Sequence, residues 1–457
     1  MNRRLLIIPV EIKARELAAK LLLGALAVAR GYSVVIGRGG EVASFARYLP
    51  PGVFLEKDVA VGRRKQFEVL AERGHALVAW DDEGVVEINY DWYVRYRIDR
   101  ENLSRLQYFF AWGPKQANVI RKHFPELADR VLEVGNPRMD LLRPVFKGLW
   151  QVEASAYKKR YGDYILINTN FAGVNIFNKQ PENFVQLIAD RLSLNKDEAA
   201  IFAASLDFSK LIYERFKSLL LSLAQAFPET QIVLRPHPSE HHDTWRELSA
   251  GLQNVHVIYE GTAVGWIAGC RVLVHNGCTT GLEGVVMGGA PVIAYRPHIS
   301  EDYELTLPNN LSIQAFTESE VMAAVRSALE GESLLKSDSA DRLLCAHIAS
   351  LSGKLSSDLI LNGIDKVKPR NDKRHLFQFP LVYRLKRIYI RLFFAVYGAV
   401  NFLRHGNRDA FRPHLFRQED IDEINAILGQ LAVADSRIQG VVAERIFPFC
   451  YRLVRKS

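Results

Sequence analysis

Two polar loops carry the residues of this sequence that are best suited to bind a phosphate group. One is RPHP at 235–238, which contains Arg235 and His237 and follows an apolar run. The other is HNGCTTG at 275–281, which also follows an apolar run. Guanidinium and imidazole groups, hydroxyls and the backbone amides at a helix N-terminus all bind phosphate. We therefore predict that these two loops form an anion-binding site.

The HNGCTTG loop belongs to a strand–helix–strand unit, because helical spacing follows it over 282–287 and a second strand begins at 292. Open α/β sheets bind ligands at the carboxyl ends of their strands, and Glu283 is placed there to accept hydrogen bonds from a ribose. The alternative role of the threonines is to cap the helix, and His275 is equally compatible with a structural role. The residues predicted to bind substrate in this unit are His275, Asn276, Gly277, Thr279, Thr280, Gly281 and Glu283.

A cluster of acidic residues, Asp81-Asp82-Glu83, follows the apolar strand predicted over 76–80. Adjacent carboxylates repel one another and lose solvation unless something offsets the cost. We interpret Asp82 or Glu83 as a catalytic base or nucleophile that faces a cleft between domains, and a solvated loop is the alternative. Glu11, at the end of the first predicted strand, is a further catalytic candidate, with a helix N-terminal charge as its alternative role.

Strands and helices alternate along the chain in two similar series, which predicts an α/β fold. We predict an N-terminal Rossmann-like domain over 1–145, a linker over 147–160 and a second Rossmann-like domain over 160–350. Asn168 ends the first strand of the second series. Asn136 and Arg138 lie in the tight turn where the first domain hands over to the second. We predict that these three residues also contact the substrate.

The charge of the chain is concentrated in one segment. The 457 residues have a formal net charge of +8, and the interval 364–404 alone contains ten basic and two acidic residues. Such a local charge argues against a general nucleic-acid surface. We predict a basic helical tail over 364–457 whose segment 379–404 contacts the anionic inner leaflet of a membrane. The alternative is a helix that packs back across both domains.

Other global features indicate a cytoplasmic protein that is peripheral to the inner membrane. No uncharged apolar run reaches 18 residues, so we expect no transmembrane helix. Charged residues interrupt the N-terminal apolar stretch, which argues against a secretory signal. The four cysteines show neither CxxC spacing nor a disulfide framework, which favours a reducing compartment.

The two motifs resemble those of known bacterial enzymes. RPHP, about forty residues before a hydroxyl-rich loop, resembles the HP and Ser/Thr motifs of sialyltransferases, of the β-Kdo transferases of capsule and lipopolysaccharide assembly, and of CDP-glycerol polymerases. All of these use cytidine nucleotide donors. The segments 10–17 and 135–140 resemble a bacterial family described as surface carbohydrate biosynthesis proteins. That resemblance covers the chain nearly completely through about residue 350.

The resemblance implies a GT-B glycosyltransferase, in which two Rossmann-like domains face a cleft. Its donor would be a nucleotide-activated sugar, with a CMP-linked acidic sugar such as CMP-Kdo favoured, and its acceptor a glycan or lipid-linked glycan. In the β-Kdo transferases an acidic residue precedes a glycine in the N-terminal domain, and Glu83-Gly84 is similar. Glu stands where that family has Asp, which keeps Asp82 as a candidate.

Glycosyl transfer requires stabilisation of the leaving phosphate. No DxD-like pair lies beside the predicted nucleotide site, so we expect a metal-free route without a cofactor, in which His237 donates to the phosphate and Arg235 lies nearby. The alternatives are a CDP-glycerol-type glycerophosphotransferase, a UDP-amino-sugar 2-epimerase and, more distantly, a non-enzymatic assembly factor.

Overall fold

Two β-sheets with helices on both faces organise the chain. The computed structural model describes residues 4–85, 90–176, 183–332, 338–369, 420–447 and 449–456. The strands are β1 (Leu5–Val10), β2 (Ser33–Arg38), β3 (Val53–Glu56), β4 (Ala76–Ala79), β5 (Leu106–Ala111), β6 (Val131–Glu133), β7 (Ile165–Asn168), β8 (Ile232–Arg235), β9 (Val255–Val257), β10 (Val272–His275), β11 (Val292–Tyr295), β12 (Ile313–Ala315), β13 (Val441–Phe447) and β14 (Cys450–Arg455).

Most strands are followed by helices that cover the sheets. The helices are α1 (Lys13–Ala29), α2 (Gly39–Ala46), α3 (Arg64–Glu72), α4 (Tyr90–Arg97), α5 (Arg100–Arg105), α6 (Pro114–His123), α7 (Pro137–Asp140), α8 (Gly148–Tyr161), α9 (Phe184–Leu192), α10 (Lys196–Ala226), α11 (His242–Leu248), α12 (Ala263–Gly269), α13 (Thr279–Met287), α14 (Thr306–Leu311), α15 (Glu318–Glu330), α16 (Asp338–His347), α17 (Ser356–Lys366) and α18 (Ile421–Ala434).

The first sheet has the strand order β13-β14-β2-β1-β3-β4-β5-β6, and its six strands from β2 to β6 pair in parallel. A strand that is covered on both faces must be apolar along its whole length. The sequence of β1, LLIIPV, satisfies this requirement, and its last five residues are buried. The polar ends of these parallel strands therefore emerge together at one edge of the sheet.

The second sheet has the order β12-β11-β10-β7-β8-β9, and all its pairings are parallel. Its central strands are in register at their carboxyl ends, where Asn168 lies opposite His275 on one side and opposite Arg235 on the other. This register brings the RPHP loop, the HNGCTTG loop and the loop after β7 to one sheet edge. The two sheets confirm the predicted GT-B class of two Rossmann-like domains facing a cleft.

The segment 135–140 joins the two domains and the returning chain. Gly135 has a φ of +80°, and a Cβ there would meet Ser356 Oγ at 2.4 Å and Ala349 O at 2.5 Å. Asp140 is fully buried and accepts hydrogen bonds from the amides of Ser356 (2.7 Å) and Ser357 (2.8 Å) and from the Ser357 hydroxyl (2.8 Å). A carboxylate from the first domain therefore caps the amino end of α17.

After the second domain, the chain returns to the first. Helix α17 packs against α1, and α18 packs against α1 and β13. Strand β14 then pairs antiparallel with β2 and extends the first sheet. Within the predicted helical tail, α18 is a helix as expected, whereas the β13–β14 hairpin was not predicted. In its described part, the predicted tail thus completes the first domain.

Three further predictions concern the linker, a transmembrane helix and the membrane-contact segment. The predicted linker over 147–160 is instead the helix α8, whose Tyr157 stacks on Trp266 in the second domain at 3.7 Å between ring centroids. No helix among the described residues has the length and apolar character needed to cross a bilayer. The predicted membrane-contact segment 379–404 lies outside the described residues.

Replacement of the capping carboxylate should loosen the returning helix. In an Asp140→Ala variant, buried amides of α17 lose their acceptor, which costs about 3 kcal/mol. We expect hydrogen exchange of the 356–366 amides to accelerate roughly a hundredfold in mass spectrometry. Asp341→Ala, on an exposed position of α16, is the matched control and should leave these rates unchanged. Equal rates in wild type and Asp140→Ala would contradict the capping role.

Candidate active site

A cavity of about 820 Å³ lies between the two domains, at the carboxyl edges of both sheets. From the first domain it is lined by the chain after β1, the start of α1, Glu83 and Arg138. From the second domain it is lined by the loops after β7, β8 and β10. The two motif loops and the acidic loop thus share one cavity.

The amino end of α13 opens into this cavity. Its N-cap is Cys278, which has extended backbone geometry and makes no side-chain capping bond. Neither threonine is the N-cap, because Thr279 and Thr280 are already the first helical residues, and both line the cavity. Unpaired amides at a helix start carry partial positive charge, which favours an anion. The structure therefore argues against the alternative that a threonine merely caps this helix.

His237 lines the same cavity and presents a defined ring nitrogen. Its Nδ1 accepts a hydrogen bond from the Ser239 amide at 3.2 Å, so Nδ1 carries no proton and Nε2 carries one. Burial lowers the pKa of His237, although Glu240 and Glu83 oppose that shift. No described residue is hydrogen-bonded to Nε2. At neutral pH this neutral imidazole is a hydrogen-bond donor through Nε2.

Arg235 also lines the cavity, but its guanidinium is engaged with the protein. It donates to the carbonyl oxygens of Glu260 and of Gly261 (3.5 Å). It also lies over the rings of Tyr259 (5.9 Å) and Trp266 (5.5 Å). Burial lowers its pKa. Arg235 thus holds the 259–261 segment, while the Nε2–H of His237 has no acceptor among the described residues.

Asn168 has the strongest unmet hydrogen-bonding capacity in the cavity wall. The residue is 4% exposed, and neither Oδ1 nor Nδ2 has a partner among the described residues. An unsatisfied buried amide costs free energy of about 1–3 kcal/mol. A bound ligand with both a donor and an acceptor would remove that cost. That Asn168 contacts the substrate stays a prediction.

Several residues predicted in the HNGCTTG loop lie behind the cavity wall. His275 does not line the cavity because its ring is fully buried, bonded to Ser312 Oγ (2.9 Å) and the Gly277 amide (2.9 Å). Burial lowers its pKa to about 3. Gly281 packs on that ring, and a Cβ there would lie 2.6 Å from it. These residues support the loop and do not reach the space where a ligand would bind.

Two asparagines in the predicted set also have structural roles. Asn276 accepts a hydrogen bond from the Asn170 amide at 2.9 Å and thereby ties the loops after β10 and β7 together. Asn136 caps α7 by accepting from the Arg138 amide at 3.0 Å. Neither residue lines the cavity, so the expectation of direct substrate contact is not met by the geometry.

Each carboxylate of the acidic loop is paired with a different cation. Asp81 is fully buried and accepts two hydrogen bonds from Arg97, at 2.6 and 2.8 Å. Asp82 is 3.5 Å from Lys20 Nζ, and burial raises its pKa. Glu83 pairs with Arg15 and lines the cavity. The interpretation of a solvated loop is therefore wrong, and only Glu83 faces the cleft.

The charge state of Glu83 suits a base or a nucleophile. Burial would raise its pKa, but the charges of Arg15 and Arg138 lower it below the ordinary value. The carboxylate is therefore ionised at neutral pH. Glu11 also lines the cavity, where Lys57 (2.6 Å) and Arg63 (3.2 Å) neutralise it.

The first turns of α1 hold a buried ion network that the sequence analysis missed. Glu16 accepts from the amides of Glu11 (2.9 Å) and Ile12 (3.1 Å) and from Lys20 Nζ (2.8 Å). Lys20 Nζ also donates to Pro9 O at 3.0 Å. Charged residues within an otherwise apolar helix were the available signal.

Arg138 and Glu283 form a buried ion pair across the two domains. Their side chains are 7% and 8% exposed, and both line the cavity. Arg138 also donates to the Asp82 carbonyl at 3.4 Å. In this arrangement Glu283 is occupied by an arginine rather than being free for a ribose. The pair closes one wall of the cavity and couples the acidic loop to α13.

Comparisons with known proteins found similar structures but no similar sequence. No protein-family model and no curated protein matches the sequence. The structure is similar to a UDP-GlcNAc 2-epimerase from Neisseria meningitidis, at TM-score 0.47 and 14% identity, over 80% of this chain and 100% of the other. A putative UDP-N-acetylglucosamine 2-epimerase from Listeria monocytogenes gives 0.47 and 12%, over 79% and 96%. The wall teichoic acid polymerase TagF gives 0.49 and 11%, over 80% and 90%.

The α1 network should make stability depend on pH below 4.5. Burial alone would raise the pKa of Glu16, but Lys20, Arg15 and the Glu11 amide lower it from 4.5 to about 2. A carboxylate whose pKa is lower in the folded state stabilises the fold at pH values above its unfolded-state pKa. That stabilisation is lost as the pH falls toward 2. We expect about 3 kcal/mol from this group. The free energy of unfolding, measured with urea at several pH values from 5 to 2, should fall less steeply with decreasing pH in Glu16→Gln than in wild type. An equal pH dependence in the two proteins would contradict this assignment.

The ion pair between the domains should show strong coupling. Arg138→Met leaves Glu283 buried without its cation, which costs about 3 kcal/mol and should lower the thermal midpoint of this 457-residue chain by roughly 3 °C. The double variant Arg138→Met/Glu283→Leu should lose less than the sum of the two single variants. Calorimetry on the four proteins gives the comparison. Additive losses would show that the two side chains do not interact.

Proposed function

We propose that this protein is a glycosyltransferase that uses a nucleotide-activated sugar in bacterial surface polysaccharide synthesis. The observation that carries the proposal is the convergence of three sets of hydrogen-bonding groups on one cavity. They are the amino end of α13, the Nε2–H of His237 and the unpaired amide of Asn168. Such groups suit a phosphorylated donor, with the phosphate at the helix start.

The chemistry follows from these placements. As the glycosidic bond to the donor phosphate breaks, negative charge develops on the leaving oxygen. The His237 Nε2–H and the α13 amides are fixed donors that stabilise this charge. Glu83, ionised and on the opposite wall, takes the acceptor proton or attacks the anomeric carbon. We assign this role to Glu83 ahead of Asp82, whose carboxylate is turned toward Lys20, and ahead of Glu11, which two cations neutralise.

The donor and acceptor classes are finer parts of the proposal. A CMP-linked acidic sugar is favoured by the resemblance of RPHP and the hydroxyl loop to cytidine-nucleotide enzymes, and the acceptor would be a glycan or lipid-linked glycan. A location at the inner face of the membrane follows from the basic segment 379–404. A CDP-glycerol-type glycerophosphotransferase would use the same phosphate groups, and it is the second candidate because His237 and α13 would serve it equally.

Ligand-dependent thermal stabilisation distinguishes these candidates. A ligand that binds only the folded state at a hundredfold excess over its Kd stabilises by about 3 kcal/mol. We expect CMP to raise the melting midpoint more than CDP, UDP or GDP. Preference for CDP would favour the glycerophosphotransferase. Preference for UDP would favour the 2-epimerase and remove the cytidine inference.

His237 should be required for turnover and not for folding. We expect His237→Ala to lower kcat/KM by about 100- to 1000-fold, as the loss of one fixed donor to a developing oxyanion does. His123→Ala, on α6 outside the cavity, is the matched control. Turnover of radiolabelled donor would be measured at equal protein stability. Unchanged turnover in His237→Ala would contradict the proposed mechanism.

A further inference from the structure

Glu240 lies directly behind the loop that carries His237. It is fully buried, and its Oε1 accepts three hydrogen bonds, from the amides of His237 (3.0 Å) and Phe171 (3.0 Å) and from Thr169 Oγ1 (2.7 Å). The Glu240 amide in turn donates to the His237 carbonyl at 2.9 Å. One carboxylate oxygen therefore holds both the RPHP loop and the loop after β7.

The second carboxylate oxygen anchors Glu240 to the domain. Its Oε2 accepts from Trp245 Nε1 (2.9 Å) on α11 and from Asn175 Nδ2 (3.3 Å). Trp245 is fully buried in the core. All five contacts donate to the carboxylate, which is the pattern of the ionised form. Oε2 of Glu240 is thus fixed to the core of the domain, while Oε1 holds the loops after β7 and β8.

The charge of Glu240 is held by neutral donors. Within the described ranges no lysine, arginine or histidine forms an ion pair with it, whereas every carboxylate of the acidic loop has a cation partner. A buried charge that is satisfied by dipoles keeps a field that acts on its neighbours. That field opposes the effect of burial on the pKa of two histidines, His237 and His242, because Glu240 raises the pKa of both rings.

We propose that Glu240 is the positioning residue of the donor-phosphate site. It fixes the 237–239 turn so that the Ser239 amide bonds Nδ1 and the Nε2–H of His237 points into the cavity. Through Thr169 and Phe171 it holds the loop that follows Asn168 in the same frame. The proposal rests on the proposed function for its ligand, but the geometry of His237 can be tested without any donor.

The test compares Glu240→Gln with wild type in protein labelled with ¹⁵N-histidine. An amide side chain cannot accept at both ends, so one group of donors loses its partner. In wild type, the ring nitrogen shifts of His237, assigned with His237→Asn, should report a neutral ring protonated at Nε2. In Glu240→Gln we expect a mixture of tautomers and a further fall in the pKa of His237, because the nearby negative charge is gone.

A second readout is nucleotide affinity by calorimetry, with CMP and CDP as probes. We expect Glu240→Gln to weaken binding at least about tenfold, the change that follows when one hydrogen-bonding group is misplaced. In the His237→Ala background the same substitution should weaken binding much less, because a positioning residue acts through the residue it holds. Glu320→Gln, the same charge change at the remote cap of α15, is the matched control.

The outcomes separate this proposal from the proposed function. An unchanged His237 tautomer and pKa in Glu240→Gln would overturn the positioning role, whatever nucleotides bind. Equal weakening with and without His237 would also overturn it and leave Glu240 a general structural residue. If wild type binds no nucleotide, the proposed function fails, and the tautomer result still decides the role of Glu240. Should Glu240→Gln not fold, Thr169→Val removes a single donor to Oε1 and should shift the tautomer in the same direction.

Discussion

Neutralisation of buried charge at the domain junction is the constraint on which the cleft depends. A charge taken out of water needs a partner, and an unpartnered one destabilises the fold by several kcal/mol. The chain meets this requirement with pairs whose members come from different elements, such as Lys20 with Asp82 and Arg138 with Glu283. Because these pairs join α1, the loop after β4, α7 and α13, they also fix how the two walls face each other.

Pairing has a second consequence for recognition. Of the described arginines that line the cavity, Arg15 and Arg138 pair with carboxylates, whereas Arg235 contacts carbonyls and rings and keeps its charge. The cavity also offers oriented dipoles, at the start of α13 and at Nε2 of His237. Dipoles that are already aligned need no reorganisation as a leaving oxygen gains charge.

Sequence patterns predicted the alternation of strands and helices in the two domains and both motif loops, because apolar runs and helix starts are local signals. They did not predict which loop residues face the cavity. His275 and Asp82 turn inward for reasons that depend on Ser312 and Lys20, which lie on distant elements. The β13–β14 hairpin was missed because its alternating residues become a strand signal only beside the exposed edge of β2. The sequence thus indicated which residue types lie in each loop, whereas the direction of each side chain could be determined only from the tertiary structure.

The segment 135–140 shows that resemblance in a motif can indicate architecture without indicating the substrate. Asn136 caps α7, Arg138 crosses to the second domain and Asp140 caps the returning helix. Its residues thus serve the junction of the fold, and similarity there constrains architecture more than substrate. The RPHP loop differs, because its position depends on Glu240 while its free donor faces the cavity. Donor identity is therefore to be sought in groups that meet the cavity and in the residues that hold them there.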